Sequence, residues 1–150
     1  MTLNDIAWSF SNKLYADTEK FDQEVSAYQK RIYKSDEKWK PEEIVFNVPE
    51  LNIQYEAWIS KPGELLANET LIDEEDAFDE ENSDEGLYQV EIVARLQADN
   101  GKYFTASEFL MKAHNQQANK ELGDHVFFEG TDEDPAIVDG LPLCYIACGS

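Results

Sequence analysis

The sequence predicts an α+β fold, an antiparallel or mixed sheet of about five strands with two main helices packed on it. Two observations carry this reading. Apolar residues alternate at period two through residues 51–59 and 87–98, as in half-buried strands, whereas residues 17–32 repeat at helical spacing. Strand patterns also bunch in pairs instead of alternating strictly with helices, which separates α+β from a parallel α/β sheet. The 150 residues, 42% of them hydrophobic, are read as one domain with a core of its own.

The first helix is expected over Asp17 to Ile32. Phe21, Val25, Tyr28 and Ile32 share a face, and Asp17 can cap the N-terminus. Glu19 at the start and Lys30, Arg31 and Lys34 at the end suit the helix dipole. An earlier turn or two is expected between Leu3 and Leu14, where Ile6, Ala7 and Phe10 share a face. Pro41 ends any helical extension. Ile44 to Val48 reads as a strand with Ile44, Phe46 and Val48 on one side. In the next strand Leu51, Ile53, Tyr55, Ala57 and Ile59 oppose Asn52, Gln54, Glu56 and Trp58, and Pro62-Gly63 breaks it. Residues 87–98 form the longest strand, with Val90, Ile92, Ala94 and Leu96 on one face and Glu91, Val93, Arg95 and Gln97 on the other. Asp99-Asn100-Gly101-Lys102 is a turn. Thr105 to Glu108 has the capping-box pattern and opens a second helix. Its inner face is Phe109, Leu110, Ala113 and Gln117, with Leu122-Gly123 as its stop. Residues 125–130 and 141–149 complete the strands.

Acids number 32 and bases 12, a net charge of −20. Residues 1–40 hold seven of each, so the whole imbalance falls on residues 41–150, with 25 acids and five bases. Such a surface argues against binding nucleic acid or an anionic membrane, both of which attract clustered Lys and Arg. Residues 73–85 hold nine acids in 13 positions and read as a long solvated loop between strands; residues 131–142 form a second acidic loop.

No nucleophile elbow, phosphate loop, dinucleotide fingerprint or zinc-protease motif occurs, so no catalytic residue, cofactor or metal is assigned. No window in the acidic run places Gly86 as an EF-hand loop requires. Cys144 and Cys148 stand four apart on a strand, roughly 13 Å, beyond disulfide reach, and are read as free buried thiols. Glu56 and Glu91 lie inside strands and are the best-placed carboxylates for acid–base work, with exposed strand faces as the plainer reading. His125, with Asp124 before it and Glu129 after it, has a general-base pattern for which Ser107 or Ser150 would have to be the nucleophile. Both His114 and His125 read as structural. Trp58, on a polar strand face, is either covered by a helix or anchors a partner. The N-terminus lacks a leader pattern and no apolar run spans a membrane, so the cytoplasm is the expected compartment.

An acidic domain without a catalytic motif can bind and block a basic protein, because charge complementarity speeds association with cationic partners such as nucleases. In size, acidity and α+β layout the whole chain resembles small bacterial immunity proteins, which neutralise toxins delivered between competing cells. The resemblance implies that a basic toxin domain is inhibited by occlusion, with the acidic loops over its active site. The neutral N-terminal helix would face away or serve self-association. The expected partner-binding residues are Asp73, Glu74, Glu75, Asp76, Phe78, Asp79, Glu80, Glu81, Asp84 and Glu85 in the first loop, Asp132, Glu133 and Asp134 in the second, and Trp58. Three other readings stay open. One is a non-catalytic scaffold or interaction protein whose acidity serves solubility. Another is an enzyme with an unrecognised site, and the third is a DNA mimic that occludes DNA-binding proteins.

Overall fold

The computed structural model describes residues 3–72, 83–84, 86–123, 126–131 and 135–149. Helix α1 spans Thr18–Tyr33. Asp17 caps it, accepting from Lys20 N at 2.8 Å, and Lys34 ends it in the left-handed conformation at φ 65°. Phe21 and Val25 are buried as the spacing predicts, but the third buried position is Gln29; Ile32 is 48% exposed. The N-terminal arm is the cause. Gln29 accepts from Ala7 N at 2.9 Å and donates to Ala7 O, so the helix turns a polar side chain inward to hold the arm. The helical turns expected between Leu3 and Leu14 reduce to a 3-10 turn at Leu3–Asp5. Beyond it the arm pairs with a neighbouring strand, Phe10 N bonding to Val126 O and Phe128 N to Trp8 O, which satisfies its backbone better than an isolated turn would.

The main sheet is mixed. Its order is β3 (Glu69–Leu71), β5 (Leu87–Gln97), β2 (Glu50–Ile59), β9 (Leu141–Gly149) and β7 (Phe127–Thr131). Short strands β4 (Ser83–Asp84) and β8 (Ala136–Val138) add to β5 and β9. β2 and β5 are antiparallel from Glu50 opposite Gln97 to Ile59 opposite Tyr88. β2 and β9 are parallel, with Asn52 opposite Leu143 and Gln54 opposite Tyr145. β1 (Ile44–Phe46) joins β6 (Phe104–Thr105) in a separate ribbon. A register shift between Ile44 and Phe46 breaks their alternation, so Ile44 leaves the expected inner face and is 47% exposed.

Period-two patterning sorts the sheet faces. Leu51, Ile53, Tyr55, Ala57 and Ile59, with Val90, Ile92, Ala94, Leu96, Cys144 and Ile146, are buried on one side. Helix α2 (Ala106–Gln117) packs there, its Gln116 O accepting from the Tyr55 hydroxyl at 3.3 Å. Helix α1 and the arm pack against α2 through Trp8, Tyr15 and Phe21, which surround His114. Ser107, buried at the start of α2, donates to Asp22 of α1. Thr105 caps α2 by accepting from Glu108 N at 3.2 Å, while Glu108 turns its own carboxylate to Asp99 N at 2.8 Å instead of completing the box. The helix ends at Gln117, short of the expected stop at Leu122-Gly123. Gly123, at φ 66°, instead lies against the Trp58 indole.

Two strands fall where loops were expected. Ser83–Asp84 of the first acidic run pairs with β5, and β8 lies in the second loop. β8 forms a hairpin with β9 in which Val138 opposes Leu141 across Asp139-Gly140, at φ 54° and 81°, the left-handed pair that a tight two-residue turn needs. β3 was also unforeseen; its first residue carries a buried charge.

Glu69 and Lys120 form an ion pair at 2.9 Å with both side chains wholly removed from solvent. Glu69 Oε1 also accepts from Leu66 N at 2.7 Å, while Oε2 accepts from Gln116 Nε2 at 2.8 Å and from the Tyr55 hydroxyl. Lys120 gives a further bond to Asn119 Oδ1 at 2.7 Å. Burial pushes the Glu69 carboxyl up, but the hydrogen bonds from Leu66, Tyr55, Gln116 and Lys120 outweigh it and leave the pKa below its ordinary value. The cluster ties an edge strand, a central strand and the segment after α2 to one point.

Removing one partner leaves the other a buried, unpaired charge. Glu69→Gln and Lys120→Met should each cost about 3–5 kcal/mol, and the double variant should recover much of that loss. Urea unfolding of the four proteins measures it; single losses within about 0.5 kcal/mol, the size of an ordinary surface change, would contradict the buried pair. Because the folded pKa of Glu69 is depressed, its contribution is present above the unfolded carboxylate pKa and lost as pH falls through the folded one.

Candidate functional site

Reactive side chains on the helix side of the sheet are already committed. His114 Nδ1 accepts from Trp8 Nε1 at 3.1 Å, so the proton sits on Nε2, which donates to Lys13 O at 2.8 Å. The ring is wholly buried and ties α2 to the arm, a structural role as the sequence predicts. Burial pushes its pKa down; the bond to Lys13 O and the charge of Glu24 push the other way without reversing the shift. His125, Asp124 and Ser150 lie outside the described residues. Cys144 is buried and Cys148 half-buried, and no disulfide joins them. Burial, then the charges of Glu129 and Glu56, raises the Cys148 thiol to about 12, so it is not a thiolate at neutral pH. Among the described residues no group of three or more His, Cys, Asp or Glu could hold a metal ion. The Tyr55–Glu69–Gln116–Lys120 cluster went unforeseen, because its members are up to 65 residues apart in sequence and follow no local pattern. It too is closed to solvent.

The opposite sheet face is where chemistry meets water. Asn52, Gln54 and Trp58 of β2, Glu91 and Val93 of β5, and Leu143, Tyr145 and Ala147 of β9 are half-buried, while Glu56, Gln89, Arg95 and Gln97 are exposed. Glu56 and Glu91, the two carboxylates that strand patterning singles out, are directly opposed across β2 and β5. Gln89 donates to Glu56, and Gln97 donates to Glu50 at 3.0 Å. Trp58 is partly covered, though not by a helix. Its N–H donates to Glu121 O at 2.7 Å, and a Cβ on Gly123 would stand 3.7 Å from the indole nitrogen. Its remaining surface looks out beside Gln89.

A groove of about 1140 Å³ crosses this face between the β3 edge and the β8–β9 hairpin, lined by Thr70, Ile72, Val93, Arg95, Val138 and Asp139 among others. Asp73, Glu74, Glu75, Asp76, Phe78, Asp79, Glu80, Glu81, Glu85, Asp132, Glu133 and Asp134 lie outside the described residues, and of Asp84 only the backbone pairing with Leu87 is described. The described residues that frame these segments are informative nonetheless. Ile72 immediately precedes the first acidic run and Val138 belongs to the strand after the second; both line the groove.

Bases on the acidic part of the chain are partly consumed. Of the five in residues 41–150, Lys112 pairs with Asp99 and Glu108 at 2.9 Å each and Lys120 with Glu69; among the described residues Lys61, Arg95 and Lys102 form no ion pair. Among the described helices none is long and apolar enough to cross a membrane. Compared with known protein families, curated proteins and solved structures, the chain matches none.

His114 gives the site-bearing fold a pH limit. Its ordinary pKa is 6.5 and its folded pKa is lower, so the unfolded chain takes up the proton first and stability falls as pH drops below 6.5. Melting temperatures between pH 7.5 and 5.5 should therefore decline with acid, and the decline should shrink in His114→Gln even though that variant starts lower. Equal slopes in the two proteins would assign the pH dependence elsewhere.

Proposed function

We propose that this chain is an acidic protein-binding inhibitor that neutralises a basic protein, an immunity protein against a nuclease-type toxin acting in the cytoplasm. The charge distribution carries the reading: net −20, all of it on residues 41–150, which hold 25 acids and five bases. A field of that sign concentrates a cationic partner near the surface and speeds productive encounter. Inhibition by occlusion then needs a surface of complementary charge and no reactive group. The burial of Tyr55, Glu69, His114 and Lys120, with their polar atoms bonded to neighbouring side chains and backbone, supports binding over turnover. The acidic segments 73–85 and 132–134, together with Trp58, are the proposed contact residues, and the neutral α1 faces away or supports self-association.

The test is neutralisation. Expressed with the basic product of the reading frame beside its own, the chain should restore growth to cells that the product poisons. Association of the purified pair should slow about ten-fold or more from low to physiological salt, with a smaller change in dissociation. Asp73→Asn, Glu74→Gln, Glu75→Gln and Asp76→Asn together should slow association in the same way. Failure to protect cells, or an association rate indifferent to salt, would contradict the reading.

A further inference from the structure

The open sheet face contains an electrostatic conflict. Glu56 and Glu91 are directly opposed, an arrangement that places their Cβ atoms about 5 Å apart and destabilises a sheet. Among the described residues no base stands within ion-pair distance of either. The Gln89 amide that donates to Glu56 adds no positive charge. Arg95, the one described base on this face of β2, β5 and β9, is four residues along β5 from Glu91, about 13 Å away. Opposed charges of like sign on an interior strand pair are a cost that no described base relieves. Beside them lies a cleft of about 200 Å³ lined by Glu56 and Tyr145, and the half-buried Trp58 sits two residues from Glu56 on the same row.

We propose that this face, centred on Glu56 and Glu91, docks the basic protein and receives one of its arginine side chains between the two carboxylates. The inference rests on the inhibitor reading above and adds where the partner sits. A guanidinium presents a planar fork of donors that two carboxylates can share, and its faces stack on aromatic rings. Tyr145 and Trp58 supply such rings, and the flanking Val93 and Ala147 give the contact an apolar floor. A lysine ammonium would satisfy the charge but neither the fork nor the stack. The acidic run then steers the encounter, and the Glu56–Glu91 pair fixes the docked pose.

Two readouts test this in the full chain. In the free protein, Glu56→Gln or Glu91→Gln should raise the melting temperature by about 1–3 °C at low salt, by relieving the repulsion. Calorimetric titration with hexa-arginine and hexalysine peptides gives the second. It uses the Asp73→Asn, Glu74→Gln, Glu75→Gln, Asp76→Asn background, so that the acidic run does not compete. Hexa-arginine should bind more tightly than hexalysine, and Glu56→Gln with Glu91→Gln should weaken it about ten-fold. The same charge change at exposed Glu19 and Glu37 should weaken it far less. Equal losses in the two double variants would overturn the docking face while leaving charge steering intact. No binding of either peptide at low salt would remove the inhibitor reading beneath it. Concentration-dependent self-association abolished by the Glu56 and Glu91 changes would overturn it in favour of a second copy as the occupant.

Discussion

A glutamate and a lysine taken wholly out of water must be satisfied on every side, and the Glu69–Lys120 pair imposes that demand on the rest of the molecule. Its contacts come from Leu66 and Glu69 at the edge strand, Tyr55 in the central strand, Gln116 at the end of α2 and the segment just beyond it. No element can slide without stranding a charge at low dielectric. The pair therefore fixes the side of the sheet on which α2 lies. It also brings the chain after the helix back along β2, where Trp58 N meets Glu121 O.

A consequence is a molecule with two unlike sides. One sheet face carries the core, where Gln29 bonds to Ala7, His114 to Trp8 and Lys13, and Ser107 to Asp22. The other face keeps polar and half-buried aromatic residues, with Glu56 opposed to Glu91. Lys112 and Lys120 pair internally with Asp99, Glu108 and Glu69, which leaves the excess of 25 acids over five bases in residues 41–150 unchanged. Ile72, just before the first acidic segment, and Val138, in the strand after the second, line one groove on the open face.

Local rules made much of this legible. Alternation placed β2 and β5 and sorted their faces, since period two survives any choice of partner strand. Asp17 and Thr105 announced their helices because an N-cap is a contact within three residues. Signals that depend on remote partners were silent. Gln29 is buried because Ala7 needs it, and Glu69 because Lys120 lies 51 residues away. The Asp139-Gly140 turn was readable in principle, yet the acids before it masked a hairpin as a loop. The charge asymmetry behind the proposed function was plain in the sequence. The opposition of Glu56 and Glu91 was not, because it exists only in the observed register.

Residue-level mapping of the complex is the most direct measurement. Amide and methyl NMR spectra of the labelled chain, with and without the proposed basic partner, report both sides of the sheet at once. The largest shifts are predicted at Val93, Leu143, Ala147 and the Trp58 indole, with Val25 and Leu110 beneath the helices unmoved. Shifts concentrated on α1 and the N-terminal arm, with the open face silent, would contradict the assignment of the acidic face as the surface that binds.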